Sequence, residues 1–86
     1  MNKIQSVCIF CSSSNNVDKK YRNTAKSLAH ILSENNITII YGGGNTGMMG
    51  DIANTCLENK SEIIGIIPKF LKERENLHPR LSKTYI

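Results

Sequence analysis

The chain has 86 residues, of which 40% are hydrophobic, and a formal charge of +4 from 11 Lys and Arg against 7 Asp and Glu. That length allows one small domain (1–86), which buries roughly 60–65% of its unfolded surface, and that composition excludes wholesale disorder. The basic residues are dispersed and stand beside few aromatics, so they read as solvated faces that suit a small anionic partner, with no nucleic acid expected.

From the N-terminus, Ile4 to Phe10 is a near-continuous apolar run. It reads as a strand buried on both faces, as in a parallel sheet covered by helices. The run is too short for a signal peptide, and no segment can span a bilayer, so no membrane and a cytoplasmic setting are expected. Cys8 and Cys11 spell C-x-x-C. A redox pair of that kind normally opens a helix; this one lies within and at the end of a strand, so buried structural thiols are expected. With Cys56 the cysteines form an odd set. A zinc site needs further ligands, and His30 and His78 stand at no recognisable spacing, so neither a metal nor a cofactor is expected.

Cys11 to Asn16 is a loop of hydroxyls and amides. It is either a plain turn or a polar wall at the end of the first strand. Asp18 is a plausible N-cap, and Tyr21, Ala25, Leu28, Ala29 and Leu32 fall on one helical face that closes near Asn35 and Asn36. Ile37 to Tyr41 reads as a second, β-branched strand.

Tyr41-Gly42-Gly43-Gly44-Asn45-Thr46-Gly47-Met48-Met49-Gly50 follows, and Met48, Met49, Ile52, Ala53, Cys56 and Leu57 then mark a second helix fading at Glu58 to Lys60. A glycine turn between strand and helix is where α/β proteins hold phosphates, because its backbone approaches a ligand closely and the helix start offers N–H groups. The alternative is that the glycines serve only tight helix–sheet packing. Gly42, Gly44 and Gly47 satisfy G-x-G-x-x-G. However, the turn follows the second strand, and no acid stands at the end of the next strand to hold a ribose, which disfavours a dinucleotide. No Gly-Lys-Ser or Gly-Lys-Thr follows, which removes the Walker A reading. A mononucleotide or sugar phosphate remains.

Ile63 to Ile67 is a third strand stopped by Pro68. Residues 69–86 form a tail with a short helical pattern through Phe70, Leu71, Arg74 and Glu75, and Leu81 to Ile86 resembles the start of a fourth strand. The order β-α-β-α-β with right-handed crossovers predicts an α/β fold: a parallel sheet of three strands, order 3-2-1, half of a doubly wound fold.

Three stretches together resemble the LOG family of cytokinin riboside 5′-monophosphate phosphoribohydrolases, long mislabelled as lysine decarboxylases. They are Cys8 to Ser14, Tyr41 to Gly50, and Ile64-Gly65-Ile66-Ile67-Pro68-Lys69-Phe70-Leu71. The resemblance implies a three-layer Rossmann-like fold and hydrolysis of the N-glycosidic bond of AMP-like nucleoside 5′-monophosphates, giving free base and ribose 5-phosphate. It also implies substrate contacts at Arg74 and Glu75, and pocket-lining roles for Ser13, Ser14, Gly43, Gly44, Thr46, Gly47 and Met48. The family's PGGxGTxxE element, with its catalytic Glu, and the preceding Arg-Lys pair are absent from this sequence. The chain then corresponds to a truncated, N-terminal half. No catalytic residue is assigned to it, and the 86 residues alone are expected to be inactive. Ser12 departs from the usual Gly of the first motif.

Two further readings stay open: a non-catalytic nucleotide-binding or assembly module, and a carrier like the molybdenum-cofactor carriers that share the architecture. Lysine decarboxylation is rejected, since no lysine sits in a recognisable pyridoxal-phosphate context. With the edge of the first strand, Val7 to Phe10, left open, a homo-oligomer or a complementing C-terminal half is the expected partner.

Overall fold

The computed structural model describes residues 4–72 and 76–86. Arg74 and Glu75, two of the expected substrate contacts, lie outside the described residues. The elements run β1 (Ser6–Cys8), α1 (Lys19–Glu34), β2 (Thr38–Tyr41), α2 (Gly47–Glu58), β3 (Ile63–Ile66), α3 (Lys69–Lys72) and β4 (Lys83–Tyr85).

Local chemistry sets the helix ends. The Asp18 carboxylate accepts the Lys20 N–H at 2.9 Å, satisfying one of the orphan donors at the start of α1. Asn36 and Lys60, just past the ends of α1 and α2, take the left-handed conformation with φ of 56° and 55°. Asn tolerates that region through its short polar side chain, whereas Lys takes it at a conformational cost.

All pairings are parallel, and the strand order is β1-β2-β3-β4. Stepping the same way across the sheet by right-handed crossovers puts α1 and α2 on one face, where they pack side by side. Alternate strand residues Ile39, Tyr41 and Ile63 point into that face and meet Ala25 and Ala29 of α1 and Ile52, Ala53 and Cys56 of α2. The small alanines let α1 lie close to the sheet. Arg22 of α1 clasps Asp51 of α2 in a two-pronged ion pair at 2.7 and 3.1 Å.

Five expectations are corrected. The sheet has four strands where three were expected. Lys83–Tyr85 pairs with β3 in the register Ile64–Lys83, Gly65–Thr84 and Ile66–Tyr85, so the fourth strand lies beside the third and not against the open edge of the first. The described residues form two layers instead of three, because both long helices share a face. The first strand is not buried on both sides: of β1 only Val7 is even half-buried, and Phe10 beyond it is 92% exposed. The C-x-x-C pair is not a buried one, since Cys8 is exposed and Cys11 only half-buried, while Cys56 is buried; all three are free thiols. Tyr21 and Leu28 are also exposed, so the buried stripe of α1 is narrower than its apolar pattern. Among the described residues no helix is long and apolar enough to cross a membrane.

One-sided burial has a measurable signature. Ile39 is fully buried, and Ile39→Ala should cost about 2–5 kcal/mol in urea unfolding. Ile66 on the bare face is 52% exposed, and Ile66→Ala should cost under about 1 kcal/mol. Equal losses would show that the second face is covered in solution.

Candidate functional site

The C-terminal ends of parallel strands are where open α/β sheets bind ligands, because the loops there diverge around a crevice. Two of those loops interlock here. After β1 the backbone continues in register, with the Ile9 N–H donating to the Ile40 carbonyl at 2.9 Å. It then enters the serine loop. The Ser12 and Ser14 hydroxyl oxygens accept the N–H groups of Ser14 and Asn16 at 3.0 and 3.1 Å. Each hydroxyl keeps its own proton to donate elsewhere.

The glycine turn then locks onto this loop. Thr46 Oγ1 donates to the Ser13 carbonyl at 2.7 Å, Asn15 Oδ1 accepts the Gly47 N–H at 3.1 Å, and the Ser12 carbonyl accepts the Met49 N–H at 3.2 Å. Gly47 sits at φ +61°, and a Cβ there would fall 2.3 Å from the Ser14 carbonyl oxygen. Gly50 is under the same constraint: its Cβ would fall 2.3 Å from the Asn45 carbonyl oxygen. These two glycines meet protein backbone. The N–H groups of Gly47 and Met49 are likewise taken up by the preceding loop, so a phosphate finds neither of them free at the start of α2.

From inside, Tyr41 supports the turn. Its ring is buried, and its hydroxyl donates to the Gly44 carbonyl at 2.8 Å. Burial holds the phenol far above its ordinary pKa, so it remains a donor at any physiological pH. From outside, the segment 76–78 crosses the turn. The Asn45 N–H donates to the Asn76 carbonyl at 2.7 Å, the His78 N–H to the Gly43 carbonyl at 2.8 Å, and Gly44 pairs with Leu77 as an antiparallel bridge.

Beside the turn, on the bare face, opens a cavity of about 330 Å³ lined chiefly by Cys8, Phe10, Ile40, Gly42, Met49 and Ile66. Cys11 also borders it. Burial, with the nearby Asp51 charge, pushes that thiol up from its ordinary pKa. A thiol held protonated is a poor nucleophile.

The structure therefore brings Ser13, Ser14, Gly43, Gly44, Thr46, Gly47 and Met48 together at one end of the sheet. Asn15, Tyr41 and His78 also build this region, though none of the three stood among the expected substrate contacts. Tyr41 had one available signal, a hydroxyl-bearing aromatic placed between a buried strand and a glycine run. A long-range partner such as His78 leaves no such mark.

By fold and loop placement this is a parallel α/β domain of the Rossmann-like kind. The solved structure of TM1055 superposes with a TM-score of 0.71 at 21% identity, covering 96% of this chain and 47% of that one. The molybdenum-cofactor carrier protein of Chlamydomonas reinhardtii superposes at 0.77 with 13% identity, covering 99% and 49%. At such identities these likenesses show the fold alone. No family model matches the sequence. The particular kinship comes from sequence: the cytokinin riboside 5′-monophosphate phosphoribohydrolase LOG2 of Arabidopsis thaliana is 41% identical over 73 residues, 85% of this chain. Over those residues the chain is a LOG-family sequence. It spans 34% of the length of that relative.

Two substitutions test the interlock. Gly47→Ala should destabilise the fold by about 2–4 kcal/mol, from strain at positive φ together with the backbone clash. Tyr41→Phe should cost about 1–2 kcal/mol by removing one partner of the Gly44 carbonyl. Urea unfolding measures both.

Proposed function

We propose that this chain supplies part of the binding site for an AMP-like nucleoside 5′-monophosphate, in a protein of the LOG type that hydrolyses the N-glycosidic bond to free adenine-type base and ribose 5-phosphate. The observation that carries the reading is the interlock of serine loop and glycine turn at the C-terminal end of the sheet, beside an apolar cavity. The kinship to phosphoribohydrolases supports it. In this reading the hydroxyl protons of Ser13 and Ser14 donate to the nucleotide, and Thr46 and Met48 border it. Gly43, Gly44 and Gly47 act through shape, by letting backbones close up. Arg74 and Glu75 contribute as the family resemblance implies, with the Glu75 carboxylate accepting from ribose hydroxyls or from the base. No cofactor enters the scheme, and a cytoplasmic setting belongs to it.

The chemistry sets what this chain does alone. Cleaving an N-glycoside develops positive charge on the ribose, so a carboxylate must stabilise that centre or activate water while an acid protonates the leaving base. The sequence carries no PGGxGTxxE element to supply that carboxylate. Asp51, the carboxylate closest to the turn in sequence, is held by Arg22. Binding without turnover is therefore the expected behaviour. Titration calorimetry should show saturable AMP binding, and chromatography should detect no adenine release above the uncatalysed background. Release at an ordinary enzymatic rate would refute the expected inactivity, and absence of binding would refute the site.

Adding a polypeptide that carries the PGGxGTxxE element separates a complementing enzyme half from a purely non-catalytic module, since only the former gains adenine release. The fold likeness to a molybdenum-cofactor carrier favours one further reading, which co-purification of a fluorescent pterin would support.

The same reading includes assembly. β1 is a sheet edge flanked by exposed apolar residues, Ile4 before it and Phe10 after it. Such an edge invites pairing with a second copy or a complementing half. Light scattering of the purified chain should report a dimer or a larger species. A clean monomer across micromolar concentrations would contradict this.

A further inference from the structure

His78 follows Leu77 in the segment that crosses the glycine turn, and it is only 3% exposed. A buried imidazole needs partners for both ring nitrogens. The backbone N–H of Arg80 lies 3.1 Å from Nδ1 and can only donate, so Nδ1 is the acceptor. The ring proton then resides on Nε2, which donates to Asn54 Oδ1 of α2 at 2.8 Å. The tautomer is thus set by the network around it. Through this ring the segment 76–80 is tied to α2, and through the backbone bonds of His78, Asn76 and Leu77 it is tied to Gly43, Gly44 and Asn45.

We propose that His78 is a positioning residue for the glycine turn: its neutral Nε2–H tautomer clamps residues 76–80 across Gly43–Asn45, and protonation of the ring opens the clamp. The consequence for ligand binding rests on the nucleotide-site reading above; the clamp does not. A proton taken from solvent adds to Nδ1, consuming the lone pair that accepts the Arg80 N–H and leaving two donors facing each other. It also places a second positive charge beside Arg80. Asn54, which meets the ring from α2, is a neutral amide, with Glu58 one turn further along that face. The glycine turn presents the Gly43 carbonyl to the His78 N–H. Burial and the Arg80 charge both hold the imidazole below its usual pKa.

The sign follows from linkage. A histidine whose pKa is depressed in the clamped state favours that state when neutral. The clamp is therefore at full strength above the ordinary value of about 6.5 and weakens as pH falls through it toward the depressed value.

NMR on the full 15N-labelled chain tests this. Imidazole 15N shifts should report the Nε2–H tautomer and titration below the ordinary histidine range. Between pH 8 and 5, protection factors at the Asn45 and His78 amides should fall, while those at Ile9 and Ile39 in the sheet hold. Asn54→Ala, at an exposed helix position, should speed exchange at Asn45 and His78 about two- to tenfold at pH 7.5, the loss expected for one hydrogen bond. His78→Gln, which cannot titrate, should abolish the pH dependence. An Nδ1–H ring titrating near 6.5 would overturn the clamp, as would Asn45 protection that tracks Ile39 throughout. AMP titration of the same samples keeps the two readings apart. Weaker binding in Asn54→Ala supports both, and no AMP binding with the clamp signatures intact sinks the nucleotide reading while upholding the clamp.

Discussion

Everything at the loaded end of the sheet depends on one close approach, where Gly47 passes against the carbonyl of Ser14 at a distance no side chain permits. That contact starts α2, seats the serine loop and brings the Thr46 hydroxyl within reach of the Ser13 carbonyl. The glycines are needed for the chain to meet itself. At the start of α2 the Gly47 and Met49 N–H groups are engaged by the serine loop, and the apolar cavity opens beside them. Two of the N–H groups that would face a phosphate at a helix start are thus already spoken for by the chain itself.

The second organising fact is asymmetry. Small residues at Ala25, Ala29 and Ala53 let two helices press onto one side of the sheet, and the other side carries Cys8, Ile40, Ile64 and Ile66 with no helix of comparable length over it among the described residues. The solved neighbours align over nearly all of this chain while being about twice as long. Polar detail and bare apolar surface thus meet at the same corner, where the cavity opens.

Much of the fold was legible in the sequence because it rests on local rules. The Asp18 cap, the β-branched runs at Ile37 to Tyr41 and Ile63 to Ile67, and the strand–glycine–helix junction each follow from residues near one another. The misreadings share a cause. A run such as Ile4 to Phe10 shows that a strand is apolar, but not whether its second face has a covering. Leu81 to Ile86 was legible as the start of a strand, but its place was not: Lys83–Tyr85 is exposed at every position, so no buried face marks its neighbour, and it pairs with β3. At the site, the glycine and serine loops were visible as motifs. The supporting bonds of Asn15 and His78 were not, because each acts on a partner that only the folded chain supplies.

The strand order carries a consequence for how the molecule is made. Because β1, β2, β3 and β4 lie side by side in the order of synthesis, each new strand finds its only template already finished as it leaves the ribosome. The loop to be closed at each step is short, about the length of one crossover helix, and closure entropy rises with the loop. Across these four strands the sheet can grow in one direction, each strand adding beside the one before it. Arrest of synthesis beyond β3 would leave a nascent chain whose core helices are already docked.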